Sequence, residues 1–231
     1  DTVWRPYDRE FVSRLKQEID LSGVCIDQEI IIPAIIKKTC VAQYEKGVTL
    51  SGMLYPFESL GGYCEKTIRM MQAFRYTGMF DMEFNVTEDG KIYFNEVNFR
   101  SGGPNFAYFK AGANLPAVVV DELADGRHLP GDAVVDRIGQ NFIYEKVAWE
   151  DYLHGFMTKE TLDQRMRDAD FGLLYSREDP GPYLFKLREF NRLNRNRAIQ
   201  EKKQAVTERV TSLPAYQKAE EWTKKEYEQL R

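Results

Sequence analysis

Histidine is scarce in this chain: His128 and His154 are the only two among 231 residues, and they share no motif. That removes the usual ligand sets of zinc enzymes and leaves no base for Ser-His or Cys-His catalysis. Cysteine is scarce as well. Cys25, Cys40 and Cys64 form no CxxC pair and stand among apolar or strand-like neighbours, so reduced, buried thiols are expected rather than a disulfide framework. No apolar run reaches the roughly 18 residues that a bilayer crossing needs, and no signal peptide opens the chain at Asp1. A cytoplasmic protein without membrane contact is therefore expected. A net charge of -4 and a pI near 5.5 give no global attraction to nucleic acid. Internal repeats and low-complexity tracts are also missing.

What is present describes a globular protein. The hydrophobic fraction is 43%, the charged fraction 29% and the aromatic fraction 13%, enough apolar material at this length for a sizeable core and the reverse of a disordered composition. A short amphipathic helix is expected from about Asp8 to Gln17, with Asp8 as its cap and Phe11, Val12 and Leu15 as its stripe. Gly23 ends that region. The run CIDQEIIIPAIIKK favours a strand that Pro33 stops or redirects, and residues 39–45 and 48–55 form two further strands about the turn at Glu45, Lys46 and Gly47. Helical spacing of Ile68, Met71 and Phe74 predicts a helix over 65–74, closed by Thr77 and Gly78. Strands over 79–86 and 91–100 flank the turn TEDG, in which Asp89 and Gly90 suit positive backbone angles.

Residues 115–123 are expected to be helical, and 145–169 to form two short helices broken at Gly155, with Thr158 capping the second. Past about residue 142 the texture changes. Asp179, Pro180, Gly181 and Pro182 mark a firm break, and the charged remainder is helical in pattern, interrupted at Pro214. The fold class is α+β: a mainly antiparallel sheet with packed helices, then a helical C-terminal extension.

The chemistry concentrates in FDMEFNVTEDGKIYFNEVNFRSGG, residues 80–103. Period-two alternation puts Ile92, Phe94, Glu96, Asn98 and Arg100 on one face of a strand, and Asp81, Glu83 and Asn85 on one face of its partner. The opposite face carries Tyr93, Val97 and Phe99, so the strand is expected to be covered on both sides and its polar residues to line a cleft. Antiparallel pairing about the turn sets Glu83 near Glu96. Two adjacent carboxylates raise each other's pKa unless a cation joins them. Magnesium takes one or two carboxylates and completes its shell with phosphates and water, and Asn98 adds a neutral oxygen. Arg100 offers a planar fork of donors to a phosphate.

A strand ending in Glu-x-Asn-x-Arg, with an acidic residue on its hairpin partner, resembles the metal-binding signature of the ATP-grasp superfamily. The following SGGPNFAYFKAGANLPAVVVDELADG resembles the glycine-rich loop and helix that come next in that family, and the similarity spans residues 8 to about 126. On that resemblance, residues 1–142 are expected to be the nucleotide- and metal-binding lobe, without the family's N-terminal lobe ahead of Asp1, and 143–231 a helical extension. Glu83, Glu96 and Asn98 would hold Mg2+ against the phosphates of ATP, and Arg100 would stabilise an acyl phosphate. Gln28, Glu29, Ile30 and Ile31 would form the hinge that meets adenine through backbone groups.

The tail containing YSREDPGPYLFKL looks like the subgroup with D-aspartate ligase and carbamoyl-phosphate-synthase-like ligases. The activity implied is ATP-dependent joining of a small-molecule carboxylate to an amine or ammonia; the alternative is a non-catalytic binding or scaffold module of the same shape. Lys37 and Lys38 are taken as a solvated strand edge. The arginines at 188, 192, 195 and 197 are taken as a solvated helix face rather than a nucleic-acid surface. Trp222 and Tyr227 suit docking on a neighbouring subunit or domain, which leaves a homo-oligomer open.

Overall fold

The computed structural model describes residues 15–126 and 133–214, together with 217, 218, 220 and 221. His128, Trp222, Tyr227 and positions 8–14 of the expected first helix lie outside the described residues. Positions 15–17 of that helix are strand instead: β1 runs Leu15–Ile26 and pairs with β5, Gly78–Thr87, from Leu15 to Cys25 with one irregularity after Leu15. Continuous pairing on the ladder outweighs the local helical pattern, as tertiary context commonly does.

The sheet has eight strands in the order β6-β5-β1-β3-β4-β7-β8, with β2 (Glu29–Ile31) paired to the end of β1. Strands β3 (Ile35–Val41), β4 (Thr49–Tyr55) and β6 (Ile92–Asn98) complete its antiparallel part with β7 (Asn141–Ile143), and only β8 (Phe171–Gly172) pairs in parallel. The α+β class and the antiparallel character are as expected. Pro33 interrupts the Ile-rich run as expected, between β2 and β3, and the strand placed at 39–45 begins earlier, at Ile35.

Side chains two apart on β1 separate the two faces of the sheet. Ile19 and Leu21 join Ile35, Phe80, Met82 and Phe84 under helix α1 (Tyr63–Phe74), whose Met71 is fully buried. That helix ends at Phe74 as expected and is closed by Arg75, in the left-handed region at φ 50°, rather than by Thr77 and Gly78. On the other face, Ala34, Ile36 and Leu54 pack against Ala107 and Tyr108 of α2 (Asn105–Lys110) and against Ala111, which caps its end. Val24 meets Leu115 and Val118 of α3 (Leu115–Asp125). Asn114 caps α3 by accepting a hydrogen bond from the Ala117 amide. The two short helices fall where predicted, α4 at Glu145–Leu153 and α5 at Lys159–Asp168, with Gly155 between them and Thr158 capping the second through Oγ1.

The first compact unit continues to Pro180, past the expected division at residue 142, because β7 pairs with β4 and β8 with β7. Glu145, buried at the start of α4, accepts from the amides of Leu174 and Tyr175 and so fastens the segment after β8. The second unit holds the single long helix α6 (Gly181–Thr211), studded with pairs such as Arg197 with Glu201. The three cysteines are unpaired. Burial pushes each thiol above its ordinary pKa, so none is poised as a nucleophile.

Gly23 does not end an element; it sits in mid-strand because nothing larger fits. A Cβ there would lie 2.5 Å from Phe80 Cζ and 2.7 Å from the Ile31 carbonyl oxygen, which is backbone and cannot swing away. Gly23→Ala is expected to cost about 1–3 kcal/mol through overpacking. Urea unfolding should show a lower midpoint at unchanged slope, and an unaltered midpoint would contradict the packing described.

Candidate functional site

The hairpin of β5 and β6 sets two carboxylates directly opposite each other. Glu83 pairs with Glu96, and one step along Asp81 pairs with Asn98; facing residues of an antiparallel ladder share a face, with Cβ atoms about 4.5–5.5 Å apart. The proximity is felt electrostatically. Burial raises the pKa of Glu83, the carboxylates of Asp20 and Glu96 raise it further, and the Lys38 ammonium opposes them. Asn98 donates from Nδ2 to Glu96 Oε1 at 2.8 Å, which turns its own amide oxygen away from that bond.

The alternation predicted for β6 fails at one residue. The ladder slips between Glu83 and Phe84, so Phe84 faces Phe94 and Asn95 is the extra residue of a bulge. Phe94 and Ile92 are thereby moved to the apolar face with Val97: Phe94 meets the Phe84 ring edge-on at 6.0 Å, and Ile92 and Val97 pack on the core beneath α1. Glu96 and Asn98 stay on the polar face. The expected cover on both sides is also corrected, since β6 is the outermost strand and Glu96, Phe94 and Phe99 are exposed. Arg100 lies beyond the end of β6, exposed, with Nη1 donating to the Ser101 carbonyl at 2.9 Å.

Behind the acid pair stands a network that sequence patterning missed. Lys38 is not a solvated edge residue: its side chain is 1% exposed, and Nζ lies 2.9 Å from Glu18 Oε2, 3.0 Å from Asp20 Oδ1 and 3.4 Å from Glu83 Oε1. Burial alone would lower its pKa, but Asp20, Glu83 and Glu18 together hold it above the usual lysine value, so it remains charged. Asp20 also accepts from Thr49 Oγ1 at 2.8 Å, and burial lifts its pKa to about 6 against the pull of Lys38. Asp81 accepts from Ser22 Oγ at 2.9 Å and is likewise raised to about 6, chiefly by burial. Tyr108 closes the base of the cluster: the Ser22 amide donates to its hydroxyl, which donates to the Ala34 carbonyl. Lys37, by contrast, lies over the Tyr55 ring at 4.1 Å on the other face.

The loop after Arg100 closes over these acids, and its glycine is a steric necessity there. A Cβ on Gly102 would lie 2.1 Å from Asp81 Oδ1. The segment proposed to meet adenine is elsewhere. Asp27 and Gln28 form a tight turn with φ 48° and 70°, and Glu29, Ile30 and Ile31 form β2, paired with Ile26, Cys25 and Val24. Val24, opposite Ile31, is four positions along β1 from Asp20, the partner of Glu83, and Ile26, opposite Glu29, is six, separations of about 13 and 20 Å at the usual rise. Gln28–Ile31 and the acid pair are therefore not brought together.

Among the described residues, no group of three or more His, Cys, Asp or Glu side chains is disposed to hold a metal ion. The donor set at the hairpin is smaller: two carboxylates, one of them with a pKa raised chiefly by burial, and an amide oxygen. It fits a hard divalent cation that keeps part of its shell for water and phosphate. No helix among the described residues is long and apolar enough to cross a membrane.

No family model matches the chain, and no curated protein matches it. Solved structures do. N5-carboxyaminoimidazole synthetase from Staphylococcus aureus is 14% identical with a TM-score of 0.45, over 55% of this chain and 34% of that one. The biotin carboxylase domain of a thermophilic 2-oxoglutarate carboxylase bound to bicarbonate is 17% identical with a TM-score of 0.43, over 54% of this chain and 29% of that one. A biotin carboxylase complex with β,γ-ATP from Campylobacter jejuni is 18% identical with a TM-score of 0.42, over 54% and 28%. The chain thus spans about a third or less of the length of these structures.

Proposed function

We propose that this chain carries the metal- and phosphate-binding part of an ATP-grasp ligase that joins a carboxylate to an amine or ammonia. The observation that carries the reading is the placement of Glu83 directly opposite Glu96, with Asn98 two residues on, the same face and spacing that the sequence motif implies. Glu83, Glu96 and the Asn98 amide oxygen would hold magnesium, whose charge would neutralise the phosphates of ATP. Arg100, exposed beside them, keeps further guanidinium donors for a phosphoryl group. In the reaction proposed, a substrate carboxylate oxygen attacks the γ-phosphorus and ADP departs. The amine then attacks the acyl carbon, loses a proton and expels phosphate, a far better leaving group than hydroxide. The finer kinship with D-aspartate ligase and carbamoyl-phosphate-synthase-like enzymes belongs to the same proposal and rests on the tail motif alone.

In the same proposal the backbone groups of Gln28, Glu29, Ile30 and Ile31, one end of a ladder whose other end carries the acids, would meet adenine while the acids meet the phosphates. A thermal-shift titration tests the reading. Mg-ATP at about 100 times its dissociation constant stabilises a one-site protein by about 2.7 kcal/mol, a rise of several degrees. The wild type should show that rise and Glu96→Gln should lose it. A wild type indifferent to Mg-ATP would instead point to the scaffold reading.

A further inference from the structure

The whole-chain charge of -4 conceals an asymmetry. Helix α6 carries eight lysines and arginines against three glutamates, a net of +5 over 31 residues, so the rest of the chain is more acidic than the total suggests. At 3.6 residues per turn, Arg188, Arg192, Arg195, Lys202, Lys203 and Arg209 fall within one arc of about 120°, strung along roughly 32 Å of helix. All six are exposed, and none has a carboxylate partner among the described residues. The acids of the helix occupy the opposite arc. There Glu189 pairs with Lys186 at 2.8 Å, Glu201 with Arg197 at 2.7 Å, and Glu208 accepts from Gln204 Nε2 at 2.9 Å. Arg195 donates from Nε to the Asn191 carbonyl at 3.4 Å, a bond that leaves the two terminal nitrogens of its guanidinium for another acceptor. A helix face shaped only by solvation mixes its signs. Here Arg188, Arg192 and Arg195 stand at i, i+4 and i+7 as like-charged neighbours, an arrangement that costs an isolated helix stability and is relieved by an external anion.

We propose that this arc of α6 binds the phosphodiester backbone of a nucleic-acid duplex. A straight row of fixed cations complements a rod of fixed anions, and a DNA duplex carries one negative charge per about 1.7 Å of its axis. Four of the six side chains are arginines, whose planar fork meets phosphate oxygens two at a time. A bilayer is a poorer match. Phe185, Ile199 and Val206 are exposed on the same arc, but Arg188 and Arg195 stand in its middle, so pressing those apolar side chains into lipid would carry guanidinium groups in with them. Contacts to phosphate carry no sequence information, and the binding is therefore indifferent to base sequence. The inference does not rest on the ligase reading, none of whose residues lies on α6.

The test is fluorescence anisotropy of the full chain with labelled RNA and DNA duplexes of about 20 base pairs and arbitrary sequence. Six phosphate contacts give a slope of about -5 when the logarithm of affinity is plotted against that of salt concentration, or roughly a 1000-fold loss between 50 and 200 mM salt. Replacing Arg188, Arg192 and Arg195 together by glutamine should weaken binding at 50 mM salt at least tenfold and cut the slope by about half. Lysine at the same three positions should retain most of the affinity. The control Lys46→Gln, Lys66→Gln and Arg69→Gln removes the same charge from the first unit and should stay within about twofold of the wild type. Binding of either duplex in this pattern supports the proposal, and the stronger of the two identifies the partner. No binding at 50 mM salt overturns it, as does an equal loss in the control or a slope that the glutamine variant leaves unchanged. Preference for phosphatidylserine vesicles over both duplexes, or a salt-sensitive self-association that duplex does not displace, overturns it too, by giving the arc to a lipid surface or to a second copy of the chain.

Discussion

In metal-free buffer at pH 7.5, Lys38→Met is expected to lower the free energy of unfolding by about 3–5 kcal/mol, the usual cost of removing one partner from a buried ionic cluster. The size follows from what is left behind. Asp20 is 2% exposed and Glu83 is half-buried, and without the ammonium their negative charges face each other and Glu18 with only Thr49 and Asn95 as neutral donors. Desolvated like charges at a few ångströms outweigh anything a methionine gains by packing. The neighbouring Lys37→Met supplies the comparison. Its ammonium only overlies the Tyr55 ring, a contact worth about 0.5–1 kcal/mol. Urea unfolding of both variants in chelator measures the difference. A Lys38 loss no larger than the Lys37 loss would mean that the three carboxylates are not held as described. The Lys38 penalty should shrink toward pH 5, because the abandoned carboxyls can then take up protons.

Why this network escaped patterning, while the hairpin did not, comes down to range. The turn TEDG and the strands on either side are fixed by local chemistry, a glycine at φ 77° and alternation near the turn, whereas the bulge at Asn95 is what brings Glu96, and not Asn95, opposite Glu83. The nearness of Glu83 and Glu96 was legible even though the bulge that sets them directly opposite was not. A bulge adds one residue without changing composition, and here it lets Phe94 follow Phe84 into the apolar face while Glu96 stays with Glu83. The cap at Thr158 is local and was equally legible. Lys38 is different. Its partners Glu18 and Asp20 lie some twenty residues away on β1, of which positions 15–17 carried a helical pattern, and a pair of lysines beside a strand has the composition of a wet edge. Only the sheet order, with β1 between β5 and β3, turns the second lysine inward. The same order makes β6 an edge strand and leaves Glu96 and Arg100 open, where their alternation had implied a covered cleft.

In the absence of divalent ions the protein should be more stable at pH 5 than at pH 7.5. Asp20 and Asp81 both have folded pKa values raised to about 6 from an ordinary 3.8, in each case chiefly because burial penalises the charged form. A carboxyl whose folded pKa is raised contributes stability that is complete below the unfolded value and is lost as pH climbs through the folded one. The window therefore runs from about pH 4 to above pH 6. Between pH 7.5 and 5 each of the two would return roughly 1 kcal/mol, from a ratio of about 1.4 kcal/mol per unit. Lys38, held above its ordinary value, stays charged throughout and adds no slope. Asp89, lowered to about 2 by its hydrogen bonds with Lys91 and Thr87, titrates below the window, and the exposed Glu160 and Glu178 are shifted down, opposite to the buried pair. Urea midpoints in chelator at the two pH values measure the slope, and Asp81→Asn should flatten it while leaving the Ser22 hydroxyl its acceptor. On the proposed metal-binding reading, saturating Mg2+ should reverse the trend, since an ion held by Glu83 and Glu96 would favour the charged forms that protons oppose. Stability that declines steadily from pH 7.5 to 5 in chelator would show that these two carboxyls are not the buried acids on which the site is built.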